Sequence, residues 1–129
     1  MKLRLHLGFT CSFAAFLAIL LTANITFAQL KGSVFKDFNN NGQQELTNEI
    51  GVGGIIVSAY TSTGKVSTTT LMDGRYSFSA AQLPPNTPVR LEFSELNGYF
   101  AGIKGSQSNS TVLFVNAGEN IDASLGILA

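Results

Sequence analysis

From residue 32 onward the chain is written in short runs of alternating apolar and polar residues, separated by turn formers. The runs are GSVFK (32–36), GIIVSAY (54–60), VSTTTLM (66–72), RYSFSA (75–80), VRLEFS (89–94), TVLFV (111–115) and IDASLGIL (121–128). Alternation with a period of two places successive side chains on opposite faces of a strand. It is clearest at 89–94, where Val89, Leu91 and Phe93 go one way and Arg90 and Glu92 the other. Tyr76 and Phe78 share a face in the same manner. TSTGK (61–65) marks a turn, and Asp73-Gly74 predicts a hairpin between the runs on either side of it. Pro84, Pro85 and Pro88 exclude a regular strand across QLPPNTP. Residues 96–110 read as a polar, glycine-bearing loop, and no segment after Gln29 has a helical repeat. Seven short strands in about 100 residues predict an all-β fold, an immunoglobulin-like β-sandwich of about seven strands. The cysteine pair and buried tryptophan of antibody domains are absent.

The first 28 residues have a different pattern. Lys2 and Arg4 precede an almost wholly apolar run over residues 9–21, and ITFAQ places the small residue Ala28 before Gln29. This is the layout of a secretory signal peptide cut after Ala28. A membrane anchor needs about 20 apolar residues, but Thr10, Ser12, Thr22, Asn24 and Thr26 dilute the run. The residues before Cys11, LGFT, do not form a lipobox. The expected organisation is a signal peptide at 1–28 and one domain at 29–129, with membrane contact only before cleavage.

Cleavage changes the chemistry open to the chain. The eight basic residues fall to six with Lys2 and Arg4 gone, against eight acidic ones, so the net charge becomes −2. No basic excess points to nucleic acid. The only histidine, His6, and the only cysteine, Cys11, leave with the leader. A Ser-His-Asp triad, a Cys-His pair, a disulfide and a histidine or cysteine zinc site are thereby excluded. Glu92 and Glu95 are the obvious carboxylate pair, but positions three apart on a strand face opposite sides of a sheet. The expectation is a protein that is not an enzyme.

One polar stretch stands out, DFNNNGQQELTNE at residues 37–49. Asp37, Asn39 and Asn41 alternate and Gly42 follows at once, which matches the start of a calcium loop, D-x-[DN]-x-[DN]-G. Calcium takes six to eight oxygen ligands, and the glycine permits the sharp turn that brings in the next carbonyl, that of Gln43. Glu45 occupies the ninth position. The twelfth is Asn48 rather than a glutamate, and Glu49 follows it. Either the loop carries a one-residue bulge and Glu49 closes the site, or the site is closed weakly. Three charges at most, from Asp37, Glu45 and Glu49, predict a weak site of the extracellular kind. The alternative is an Asn/Gly-rich turn held by local hydrogen bonds.

The flanks of this loop carry a resemblance. GSVFKDFNNNGQQELTNEIGVGGIIVSAY resembles the opening of the serine–aspartate repeat protein B-domain family (SdrD B-like). It has the terminal Asp37, the N-x-N-G element 39–42, Glu49-Ile50-Gly51-Val52 and the strand 55–57. TTTLMDGRYSFSAAQLPPNTPVRLEF is similar to that family's T-D-x-x-G-x-Y-x-F and L-P-x-G elements. The likeness runs from about Leu30 to Ile127. The loop has one residue more than is usual between Asp37 and Glu49, and Asn41 stands where aspartate is common. The resemblance implies a calcium-bound (Ca2+) β-sandwich module of bacterial cell-surface proteins, secreted or on the surface. Such modules act as spacers within larger adhesin-like proteins. Carried over by position, the ligands are Asp37, Asn39, Asn41, Gln43 through its backbone, Glu45 and Glu49. An alternative function is adhesion to a surface protein or a host or matrix ligand through the 96–110 loop, with Tyr99 and Phe100 as its aromatics. A related superfamily forms Lys–Asn isopeptide bonds, for which Lys36 with Asn116 or Asn120 are the conceivable partners.

Overall fold

A computed structural model describes residues 28–104, 107–108, 111–119 and 122–129. The expected leader lies outside them except for its last residue, Ala28. The strands are β1 (Ala28–Lys36), β2 (Ile56–Thr61), β3 (Gly64–Thr69), β4 (Arg75–Ser79) and β5 (Pro88–Ser94). They continue with β6 (Phe100–Ala101), β7 (Ile103–Lys104), β8 (Gln107–Ser108), β9 (Val112–Asn116) and β10 (Leu125–Leu128). One four-stranded sheet has the order β4-β1-β10-β6 and the other β3-β2-β5-β9, while β7 and β8 form a separate two-stranded ribbon. The second sheet is antiparallel throughout. In the first, β1 and β10 run parallel, with Val34 opposite Leu125 and Lys36 opposite Ile127. No described residue belongs to a helix longer than one turn. The architecture is the immunoglobulin-like sandwich that the alternation predicts.

Each of the seven expected strands is present, and the core follows from their period. Leu30 and Val34 of β1, Val57 and Ala59 of β2, Tyr76 and Phe78 of β4, Val89, Leu91 and Phe93 of β5, and Leu125 and Ile127 of β10 join one buried cluster. The Tyr76 ring meets Phe78 and Phe93 edge-on, at centroid separations of 6.2 and 5.9 Å. Its hydroxyl donates to the Ala123 carbonyl. Such pairs add to the area burial that dominates core energetics.

Two expectations are corrected. Asp73-Gly74 is not a hairpin between β3 and β4, because those strands lie in different sheets. The turn is real, with the Gly74 N–H donating to Leu71 O at 2.8 Å. Beyond it the main chain is handed to β1, and Gly74 O accepts from Val34 N–H at 2.9 Å. Gly74 has φ 82°, and a Cβ there would run into the Val34 carbonyl. The dipeptide thus marks a crossing between layers, packed backbone against backbone. The second correction concerns 96–110, which is not only loop. Asn97 (φ 52°) and Gly98 (φ 88°) both take left-handed backbone, and Tyr99 N–H donates to Leu96 O at 3.0 Å. That mirror-image turn, for which Asn-Gly is suited, brings β6 onto the edge of the first sheet, with Phe100 opposite Leu128.

Candidate functional site

The 37–49 loop leaves the end of β1 and folds back over the outer face of the first sheet. Val34 points into the core, so Ser33 and Phe35 point outward by the strand period. Phe35 is nonetheless fully buried and lies outside the core cluster. Gln44 ties the loop to this face: its Oε1 accepts from Ser33 Oγ at 2.9 Å, and its Nε2 donates to Glu49 O at 2.9 Å. The chain beyond the loop then pairs with β1, Lys36 N–H donating to Ile50 O at 3.0 Å and Val52 N–H to Val34 O at 2.8 Å.

The loop interior is built on two carboxylates. Asp37 and Glu49 are each only 2 % exposed. Asp37 accepts Asn41 N–H on Oδ1 (3.2 Å) and Gly42 N–H on Oδ2 (2.8 Å). Glu49 accepts Phe38 N–H on Oε1 (3.0 Å) and Glu45 N–H on Oε2 (2.9 Å). Gly42, at φ 74°, makes the bend that returns its own N–H to Asp37. Glu45 begins a single helical turn, since its carbonyl accepts from both Asn48 N–H (3.2 Å) and Glu49 N–H (2.8 Å). That turn carries Glu49 back under the loop and leaves Asn48 exposed. Of the two residues left open for the last position, Glu49 is the one that faces inward.

Asn39, Asn41 and Glu45 form the exposed side of the loop. Asn41 Nδ2 donates to Glu45 Oε1 at 2.7 Å and Asn39 Nδ2 to Glu45 Oε2 at 3.3 Å. Hydrogen bonding, chiefly from the Asn41 amide, holds the Glu45 carboxyl below its ordinary range. The two amide oxygens accept main-chain N–H groups, Asn39 Oδ1 from Asn41 (3.0 Å) and Asn41 Oδ1 from Gln43 (2.8 Å). Gln43 itself is exposed. Turning an amide through half a revolution about its last bond exchanges its nitrogen and oxygen. Both asparagines would then offer oxygen toward Glu45, in exchange for the bonds their Oδ1 atoms accept from the Asn41 and Gln43 N–H groups.

The electrostatics of this arrangement are lopsided. The loop holds three carboxylates and no basic residue between 37 and 49. The ion pairs that join described residues are Asp73–Arg75 and Arg90–Glu92, so among the described residues no lysine or arginine salt bridge reaches Asp37 or Glu49. Burying a carboxylate is costly unless hydrogen bonds and an opposite charge compensate it. Here the hydrogen bonds are present, and among the described residues the opposite charge is not. All candidate donors are oxygens, the chemistry that suits a hard divalent cation. Among the described residues no three Asp, Glu, His or Cys side chains gather into a metal cluster. A cation would therefore depend on amide and main-chain oxygens as well as carboxylates.

The other singled-out residues are dispersed. Tyr99 is half-buried against the core, with Lys36 Nζ 5.7 Å from its ring centroid, whereas Phe100 is 70 % exposed on β6. Glu92 pairs with Arg90 at 3.1 Å, and Glu95 lies beyond β5 at φ 61°. Lys36 and Asn116 stand at opposite ends of the sandwich. Lys36 is opposite Ile127 at the loop end, while Asn116 is opposite Pro88 and donates to Glu119. Asn120 lies outside the described residues. Reading only alternate positions of the loop missed Asn40 and Gln44, the two side chains that fasten it to the sandwich. The signal available was Asn40 itself, an asparagine in a run of three beside a glycine, where left-handed backbone is tolerated.

Comparison with known proteins gives one family. A family model described as the SdrD B-like domain matches residues 28–119. No curated protein matches the chain.

Proposed function

The chain belongs to the SdrD B-like domain family, a family of structural modules associated with bacterial surface adhesins, and from that premise we propose that it is a non-catalytic spacer stiffened by calcium. It serves at the cell surface or outside the cell, as part of a larger adhesin-like protein or derived from one. The single observation that carries the calcium reading is the pair Asp37 and Glu49, nearly fully buried and without a basic partner among the described residues.

Asp37, Glu45 and Glu49 would hold the ion with the side-chain oxygens of Asn39 and Asn41 and the main-chain oxygen of Gln43. Bound there, it supplies the positive charge that the loop lacks. The residues of the chain do the rest. Gly42 makes the bend, Gln44 anchors the loop to β1, and the turn from Glu45 aims Glu49 inward. A ligand that binds only the folded state stabilises it by mass action, by about 2.7 kcal/mol at a hundredfold excess over Kd. For a disulfide-free domain with a total stability of about 5–15 kcal/mol, that is a large share. Calorimetric titration of the purified protein tests the reading. Calcium should bind at one site with a Kd in the range of roughly 10⁻⁴–10⁻³ M typical of extracellular modules. Asp37→Ala should abolish the heat, and absence of heat in the unaltered protein would refute the proposal.

A further inference from the structure

The loop is also fastened on its far side, and a different set of atoms does it. Asn40 takes left-handed backbone (φ 55°), is half-buried, and accepts Ile103 N–H on Oδ1 at 3.1 Å, across 63 positions of sequence. Its neighbour in the loop, Asp37, donates its N–H to Ile127 O at 3.0 Å. Gly102 N–H donates to Gly126 O at 2.8 Å, joining the two receiving segments to each other. Both glycines are places of close approach. A Cβ on Gly126 would come within 2.6 Å of Asp37 Oδ2, and one on Gly102 within 3.2 Å of Asn40 Oδ1. The Asp37 carboxylate and the Asn40 amide therefore rest on the main chain of Gly126 and Gly102. Asp37, Gly126, Gly102 and Asn40 form a closed circuit between the loop and the strand that carries Phe100.

We propose that Asn40 is a positioning residue that links cation occupancy of the 37–49 loop to the conformation of the Tyr99–Ile103 segment. The proposal rests on the calcium reading above. A cation held by Asp37 and Glu49 fixes the backbone between them, including the left-handed residue 40. A fixed Asn40 presents a fixed acceptor to Ile103. Opening of the 99–103 segment must break that hydrogen bond, so it becomes rarer when the loop is loaded. Linkage makes the relation reciprocal. Phe100, exposed within this segment, then belongs to a surface whose order depends on the ion.

Amide hydrogen exchange reads local opening residue by residue. It would be followed by NMR at Gly42, inside the loop, and at Ile103, with calcium and with chelator. In the unaltered protein calcium should slow both amides, Ile103 by about tenfold, within the 5–150-fold range of ordinary coupling. Asn40→Gly keeps the left-handed backbone without strain and removes the acceptor. There Gly42 should still slow and Ile103 should not. Asn40→Asp retains an acceptor and should restore the response at Ile103. A purely structural role for Asn40 would change exchange at Ile103 equally with and without calcium, which would overturn the proposal. So would a calcium response at Gly42 unaccompanied by one at Ile103 in the unaltered protein. No response at either amide would overturn the cation site, and the coupling with it.

Discussion

Glu49 rather than Asn48 faces the loop interior because one helical turn, closed on the Glu45 carbonyl, moves the inward position by one residue. Spacing alone left these two alternatives open, since the pattern counts residues and cannot see that turn. The consequence is a sharp contrast between neighbours. Glu49→Gln keeps the shape but removes a buried charge, and should weaken calcium binding at least tenfold in titration. Asn48→Ala alters an exposed side chain and should leave Kd unchanged and stability within about 0.5 kcal/mol. Equal effects would mean that the loop does not close on Glu49. Glu45 bears on pH in a definite direction. Its carboxyl is lowered in the folded state, chiefly by the Asn41 amide. Its contribution is therefore present above the ordinary carboxylate pKa and disappears as pH falls through the lowered value.

At the scale of elements, strands were the most legible feature and their connections the least. Val89, Leu91 and Phe93 announce both a strand and its buried face, and the structure buries all three. Asp73-Gly74 announces a turn but not which sheet receives the chain. That depends on the room for Gly74 against Val34 and Gly51, contacts distant in sequence. Strand β6 carries no signal in the sequence, because two residues are too few to show a period. Only its partner Leu128 makes it a strand. Asp37 and the loop it opens were legible in the D-x-N-x-N-G spacing, while the loop's fastening through Gln44 and Asn40 was not, since Ser33 and Ile103 lie on other elements.

Tyr76 shows how one side chain joins elements. It stands on β4, packs on Phe93 of β5 and donates to Ala123 ahead of β10. Burial pushes its phenol pKa up, aided by the negative charge of Asp122. A tyrosine raised in the folded state leaves stability intact below its unfolded value of about 10 and loses it as pH rises beyond that. Denaturant melts should accordingly show stability falling above pH 10. Tyr76→Phe should be less stable at pH 7 by about 0.5–1.5 kcal/mol for the lost hydrogen bond, with a shallower alkaline fall. An alkaline slope that the substitution leaves unchanged would assign the effect to other groups.

Among the described residues, the molecule is a small sandwich whose strands are bound to one another by hydrogen bonds and a buried core, without a disulfide. At one end a charged loop lies over the first sheet and pins β1, β10 and the β6 segment together. On the proposed reading such a module stiffens when the loop is settled, and an ion that offsets Asp37 and Glu49 would settle it. The matched family, residues 28–119, stops short of β10, yet β10 lies between β1 and β6 in the first sheet. Its Ile127 carbonyl accepts the Asp37 N–H, so β10 joins the loop to the middle of that sheet.

The most direct test of this account is a thermal melt of the protein in millimolar calcium and again in excess chelator, with Asp37→Ala alongside. The account predicts a Tm higher by several degrees with calcium, since about 1 kcal/mol moves Tm by roughly 4–8 °C in a domain of this size, and no shift in the variant. Superimposable melts of the unaltered protein in calcium and chelator would contradict it and leave the loop as a hydrogen-bonded turn.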